Sequence, residues 1–460
     1  MSEKIRRQGL TWRHVAVVIT MMLTLLTAVA IVFTAAGLCY RPVADHFGVQ
    51  ISDVSLYITF IYIGSMVGPI PAGILFDKFN PKIVFTVAAL LVVLPYLGFA
   101  FYPSIHYFWV AGFFIGLGLC TLEYTMTAGI LSRWFHTNYG TVVGLSFAMT
   151  GVGGIIWNLV GQTVLGPDLS GWATLYLIFG AAMAIGTIPC ILLFIKRTPE
   201  ECGTLPYGMP IDENGNALSL ASEEEKSNEA VEEPGYTAKE ALRLPFFWTM
   251  LIGAGLLNVT VTLSQLFATY VQFLGHDGWA GVAIVALLAL SGTLESFASA
   301  GQMVGKVLVG YIESRTLLGA QIMGLIGGVV GLAIMWWAPK LMGEAGIWPM
   351  FFGGAAYGLM YACSTAMLPF LVREVFGGRD YDRIYSWQVV VFNGFGAMGA
   401  TAWAVLAQSC GWDVFFAVSI LVVVVTFITI AYTGIAGYKA RAKTWYKSDK
   451  QLASEAVEAA

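Results

Sequence analysis

Charge is what this 460-residue chain has least of. Asp, Glu, Lys and Arg make up 11% of it, while 57% is hydrophobic. A soluble domain carries roughly 25% charged residues, so this chain lacks the polar surface needed to face water. Catalytic signatures are missing as well. There is no GxxxxGK[ST] loop to cradle nucleotide phosphates, no HExxH and no CxxC, which argues against ATP-driven pumping and against an enzyme. The five histidines (14, 46, 106, 136, 276) lie in loops or at the edges of apolar runs and form no cluster along the chain. The six cysteines show no paired spacing and read as small packing residues. No cofactor or metal is expected. The net charge of −4 includes eleven acidic residues in one segment, 196–243, and no nucleic-acid partner is expected.

What is present is a series of long apolar runs. Residues 15–40, 54–76, 83–102, 141–167, 172–195, 244–276, 316–339, 345–372, 384–412 and 414–438 contain no Asp, Glu, Lys or Arg. Two more, 107–132 and 278–312, contain one and two such residues. Each supplies the ~20 residues that cross a bilayer as a helix, so twelve spans are expected. The start MSEKIRRQGLTWRH followed by an apolar run mimics a signal peptide, but the run exceeds the usual signal core of about 7–15 residues. It reads as an uncleaved first span. With the N-terminus placed inside and the spans alternating, 21 of the 24 basic residues fall on the inner side, Arg41 and Lys340 fall outside, and Lys306 falls within a span. That bias predicts a multi-pass protein of the cell membrane with both termini cytoplasmic.

Residues 196–243 interrupt the pattern. They hold the acidic run SEEEKSNEAVEEPG and read as a mostly disordered cytoplasmic linker. The expected units are a six-helix bundle over 1–195, the linker, a second six-helix bundle over 244–438 and a cytoplasmic tail over 439–460. The bundles carry a repeat. GSMVGPIPAGILFDK (64–78) aligns without a gap on GQMVGKVLVGYIESR (301–315), 237 residues later. GLGLCTLEYTMTAGILSRWF (116–135) is echoed by YGLMYACSTAMLPFLVREVF (357–376). Two parallel repeats related by an axis along the membrane normal are a transporter architecture, with substrate held between the halves. The repeat predicts an all-α membrane protein of twelve transmembrane helices in two pseudo-symmetric halves.

The stretch GILFDKFNPK (73–82) resembles the loop signature G-x-x-x-D-[RK]-x-G-[RK]-[RK] of the major facilitator superfamily, departing from it at Asn80-Pro81. The run Gly310–Arg315 is similar to its weaker second copy, with Ser314 in place of the acid. Within that superfamily, RPVADHFG (41–48) is similar to the K-P-L-x-x-E-F-G of the oxalate/formate antiporter and monocarboxylate transporter group. Gln302-Met-Val-Gly-Lys306 resembles the span-8 region where monocarboxylate transporters place a substrate-pairing Arg, with Lys306 at its position and Gln302 at that of a neighbouring Asp. The resemblance implies a monomeric secondary transporter of a small organic anion, a monocarboxylate, by proton symport or anion exchange. Residues 384–410 lack the span-11 Lys of the oxalate transporters, so a dianion held by two cations is not expected.

Only Glu123, Glu295 and Lys306 place formal charge well inside spans. At mid-membrane each costs about 2.5–3.5 kcal/mol or more facing lipid, so all three are expected to face the protein interior. Glu295, Ser299, Gln302 and Lys306 are spaced 0, 4, 7 and 11, within an arc of about 60° on an α-helix. Asn258, Thr262, Gln265 and Thr269 repeat that spacing in span 7. Two such stripes predict a water-filled route, with inter-helix hydrogen bonding as the alternative. Lys306 is the expected partner of the anion, or else part of an internal ion pair or a side chain snorkelling to the cytoplasmic face. Gln302, Asn258, Thr262, Gln265, Asn158 and Asn393 are candidate substrate contacts, and Arg41 is a candidate entry residue beside Asp45. Glu123 and Glu295 are candidates for a coupling proton, and Glu295, nearer the outer end, has simple contact with water as its alternative. In the resembled superfamily the acid at Asp77 helps latch the inner side, with Lys78 beside it and Arg133 as a partner. The competing functions are an exporter of amphipathic or cationic compounds, and a membrane sensor that binds a ligand without moving it.

Overall fold

Helix stops and starts are written locally. Asn80 caps a helix by accepting a hydrogen bond from the Lys82 amide, and Pro81 occupies its first turn, where a missing N–H costs nothing. The departure from the family signature at Asn80-Pro81 is therefore a helix start. Pro69 likewise restarts a helix after Gly68. At Gly411 a φ of 80° breaks one long helix in two, a backbone conformation open to glycine and costly for other residues.

The structure is a computed structural model that describes residues 6–211, 235–313, 316 and 318–458. Among these residues twelve helical spans are present. Span 1 is Trp12–Thr34, and span 2 comprises Ile51–Val67 and Pro69–Lys78. Span 3 is Pro81–Gly98, and span 4 comprises Ile105–Leu122 and Tyr124–Trp134. Spans 5 and 6 are Tyr139–Leu165 and Trp172–Phe194. Span 7 is Pro245–His276. Spans 8, 9 and 10 are Thr293–Glu313, Gly319–Met342 and Ile347–Phe376. Spans 11 and 12 are the two parts of Tyr381–Glu458 on either side of Gly411. An even number of crossings brings both ends of the chain to one face.

The repeated glycines seat equivalent helix pairs. A Cβ on Gly64 would lie 2.3 Å from Phe113 O, and one on Gly116 would lie 2.1 Å from Ile61 O, so spans 2 and 4 touch backbone to backbone. In the second half a Cβ on Gly301 would lie 1.9 Å from Ala355 O, and one on Gly358 would lie 2.1 Å from Ala298 O, seating span 8 on span 10. Gly310, the last glycine of the second block, meets nothing within 4 Å. Close approach explains the first part of the repeat only.

The halves join along spans 2 and 11 and along spans 5 and 8. Ser52 N donates to Gln408 Oε1 at 3.2 Å, Thr59 donates to Ala397 O, and Gln162 Oε1 accepts from Gly292 N and Thr293 Oγ1, each at 3.0 Å. Gln265 Nε2 donates to Phe33 O at 3.1 Å, while Tyr40 OH donates to Gln265 Oε1 at 2.8 Å. Gln272 Nε2 donates to Leu38 O, and Arg41 pairs with Asp277 at 3.4 Å. All of these lie toward the face away from the termini. Span 5 stays close to span 8 through Gly154 and Gly151, and then the two part: Gly144 and Gly140 have nothing within 4 Å. The halves are thus held together toward the face away from the termini, and spans 5 and 8 separate toward the face that carries them.

The described flanks of the connection between the halves, 196–211 and 235–243, make defined contacts. Pro210–Ile211 pairs as a short strand with Arg6–Arg7, and Tyr207 packs on Phe135 and His14. At the other end Gly235 bridges to Gly377, and Ala238 N donates to Asp380. A few aromatic and basic anchors order these flanks where bulk composition points to disorder. Most of the acidic run lies outside the described residues.

Two outcomes test this packing. Gly301→Val should cost at least about 1–3 kcal/mol, because its Cβ meets main chain that cannot rotate away, whereas Gly310→Ala should be neutral or slightly stabilising; the fraction of monodisperse protein left after heating separates the two. Gln265→Leu removes both of its cross-half bonds and should loosen the closed side by about 1–3 kcal/mol. A cysteine placed at Thr269 should then react faster with a thiol reagent that cannot cross the membrane.

Candidate substrate cavity between the two halves

Span 8 is one unbroken α-helix, so its spacing survives as a single stripe. Glu295, Ser299 and Gln302 are each about 3% exposed, and Lys306 is half-buried. The stripe faces the other half of the molecule. A Cβ on Gly154 of span 5 would lie 2.2 Å from Ser299 Oγ, and only glycine permits that approach. One turn further, Lys306 Nζ donates to Thr150 Oγ1 at 2.7 Å and to Phe147 O at 3.3 Å, both on span 5. The amine therefore sits at the closed end of the opening, where spans 5 and 8 begin to part. Glu295 differs from the expectation that it reaches water. It lies in the first turn of span 8 but is covered by the closed packing of the halves.

Span 7 does not keep its stripe. Thr262–Leu266 winds as a 3₁₀ turn, which advances about 120° per residue instead of 100°, and the polar residues separate. Asn258 Nδ2 donates to Phe392 O of span 11 at 2.8 Å, and Asn258 Oδ1 accepts from Tyr62 OH at 3.5 Å. Thr262 bonds Val259 O of its own helix and lies against Gly399 of span 11. Gln265 turns instead to span 1. These side chains bind helices together, the alternative that spacing alone left open.

Asn158 is 1% exposed and donates to Gly154 O at 2.8 Å and to Thr34 O at 3.2 Å, joining spans 1 and 5. Asn393 is half-buried on span 11, beside Gly394, whose added Cβ would lie 3.7 Å from Met66 of span 2. Glu123 stands at a break in span 4. Its backbone is extended (φ −73°, ψ −173°) between two helices, and neither proline nor glycine flanks it to signal the break. Its side chain is half-buried, and among the described residues no hydrogen bond or ion pair holds the carboxyl. Arg41 is remote from these groups. With Asp45, Thr269, Asp277 and Gln408 it lines a separate cavity of about 580 Å³ toward the opposite face.

At the face carrying the termini, Lys78 and Arg133 are exposed. The Arg133 guanidinium lies 5.4 Å from the centre of the Phe76 ring. The Asp77 side chain and Arg315 lie outside the described residues. Arg197, from the segment read as linker, packs on the same ring at 5.7 Å and donates to Phe79 O at 2.9 Å. Arg197, Thr150, Tyr62 and Tyr40 were missed in the sequence because single hydroxyls and a linker arginine leave no periodic trace.

Comparison with known proteins fits this arrangement. Residues 15–294 match the family model described as Major Facilitator Superfamily. The chain is 21% identical over 348 residues, 75% of its length and 76% of the relative's, to the uncharacterized MFS-type transporter YhjX of Escherichia coli (strain K12). It is 23% identical over 160 residues to the uncharacterized MFS-type transporter YcxA of Bacillus subtilis (strain 168), a match that spans 35% of this chain and 39% of the relative. In fold it is similar to the crystal structure of a point mutant of the nucleoside transporter NupG, with a TM-score of 0.67 over 92% of this chain and 99% of that one at 12% identity. A multi-pass chain of twelve helices, open on one side between two related halves and matched by the family model over most of its length, belongs to the major facilitator superfamily of membrane transporters.

Proposed function

We propose that the protein carries a small organic anion, a monocarboxylate, across the cell membrane by alternating access, with Lys306 as the partner of the carboxylate. The observation that carries this reading is the place of the amine. It stands at the closed end of the opening and reaches across to Thr150 and Phe147 of the other half. Both of those acceptors are neutral. An arriving carboxylate adds a charge–charge attraction that neither acceptor offers, and its binding exchanges a cross-half contact for a substrate contact. A single amine suits a single negative charge, and residues 384–410 hold no second cation. Gln302, one turn away with its Oε1 buried and without a hydrogen-bond partner, and Asn393, half-buried on span 11, are the amides we assign to orienting it. We assign secondary roles in binding to Asn258, Thr262, Gln265 and Asn158, which hold the cavity walls together, and a role in entry to Arg41.

Glu123 is the residue we assign to a coupling proton in symport. It is half-buried at a helix break with its carboxyl uncommitted among the described residues, whereas Glu295 lies on the closed side. From the bias of basic residues we infer that the termini, and with them the side on which spans 5 and 8 part, face the cytoplasm. There Arg133 and Arg197, stacked on Phe76, belong with Asp77 and Lys78 in closing the inner side. We infer that the transporter works as a monomer.

Purified protein in proteoliposomes should take up labelled monocarboxylates. Lys306→Gln should lower that uptake about 30-fold or more while membrane insertion and elution from a sizing column stay unchanged. Normal uptake by the variant would remove Lys306 from the site. Binding without flux would make the protein a sensor, and flux of organic cations in place of carboxylates would make it an exporter of that class.

A further inference from the structure

Glu295 has no part in the anion site as described. It is eleven residues from Lys306, about 16 Å along the helix axis, and lies on the closed side of the molecule. The side chain is 3% exposed, and its Oε2 has no hydrogen-bond partner. Among the described residues no Lys, Arg or His forms an ion pair with it. The Ser264 hydroxyl, from the 3₁₀ turn of span 7, is buried and directed at the carboxyl as a hydrogen-bonding neighbour. Ser299 Oγ, one turn along span 8, is buried without a partner and points at Gly154 beside Thr34. The Tyr357 hydroxyl is close by but is committed elsewhere: it donates to Thr260 O at 2.6 Å and to Val261 O at 3.1 Å.

A carboxyl with one serine beside it on span 7 and another one turn along span 8 is thus buried, with Glu295 Oε2 and Ser299 Oγ left without partners. Leaving such groups orphaned costs free energy at each one. Protonating Glu295 would remove its charge and supply one donor, enough to engage one serine oxygen and not both. A hard cation uses all of them at once, because carboxylate, hydroxyl and carbonyl oxygens are its ligands. The 3₁₀ turn at Thr262–Leu266 interrupts the α-helical ladder, and an interrupted span is where main-chain carbonyls become free to coordinate an ion. One carboxylate neutralises one positive charge, which favours a monovalent ion over a divalent one in a site without water.

We propose that Glu295, Ser264 and Ser299, with carbonyl oxygens of the Thr262–Leu266 turn, form a binding site for a sodium ion. The site ties span 7 to span 8 on the closed side and abuts Gly154 and Thr34 of the other half. Sodium therefore stabilises the arrangement in which that side is shut. The inference stands apart from the anion assignment, since Lys306 contributes nothing to the ion's ligands.

The test is thermal unfolding of the purified full-length protein, with sodium chloride titrated against choline chloride or potassium chloride at constant ionic strength. Wild-type protein should show a saturable rise in melting temperature with sodium that choline and potassium do not reproduce, as mass action requires of an ion bound to the folded state. Glu295→Gln should lose the rise, and Ser264→Ala should raise the half-saturating concentration about tenfold. Lys306→Gln should keep it, so failure of the anion reading and failure of this one are told apart. The proposal is overturned by a wild-type melting temperature that is the same in sodium and choline, by an equal response to potassium, or by a full response in Glu295→Gln. Should that variant not fold, an unaltered sodium response in both Ser264→Ala and Ser299→Ala overturns it equally.

Discussion

Hydrocarbon cannot hydrogen-bond, and most of this molecule follows from that. Inside a bilayer every main-chain group and every polar side chain must find its partner within the protein. Span 8 carries a carboxyl, a hydroxyl, an amide and an amine on one stripe, and that stripe has only the other half of the molecule to face. Gly154 and Gly151 of span 5 let it come close. The union of the halves along spans 5 and 8 is thus a solvation requirement as much as a packing solution. The same requirement keeps Lys306 against Thr150 and Phe147, where the two helices begin to separate.

Irregular backbone recurs around this interface. Span 1 widens to a π-helical turn at Leu25–Val29, span 2 restarts at Pro69, span 4 breaks at Glu123, and span 7 tightens at Thr262–Leu266. Such departures are tolerated in a membrane only where they are buried in protein or line a cavity. Span 8, with a carboxyl and an amine on one stripe, keeps regular winding. The chain holds its charged stripe on a rigid rod and puts the deformable turns in the helices around it.

Much of the fold was legible in the sequence. Charge-free runs marked the spans because length and polarity alone decide whether a helix crosses a bilayer. The block at 64–78 and 301–315 marked the duplication because close helix contact demands glycine at fixed positions. The stripe of span 8 was legible for the same reason that it is rigid: regular winding preserves spacing. The stripe of span 7 misled, since one 3₁₀ turn rotates everything beyond it and no residue type announces that turn. Glu123 misled similarly, its break having no proline or glycine to signal it. The seclusion of Glu295 depends on how the halves close against one another, a property of tertiary arrangement that position along a helix does not record.

The closed side is held chiefly by uncharged bonds, many of them from a side chain to a main-chain carbonyl, with Arg41–Asp277 a half-exposed ion pair at its edge. Neutral bonds of this kind contribute about 1 kcal/mol each and are indifferent to ionic strength, which screens exposed charges instead. The seam can come undone one contact at a time, each step within reach of thermal motion. Opening on that side is thus a sequence of small ruptures, with no single clasp.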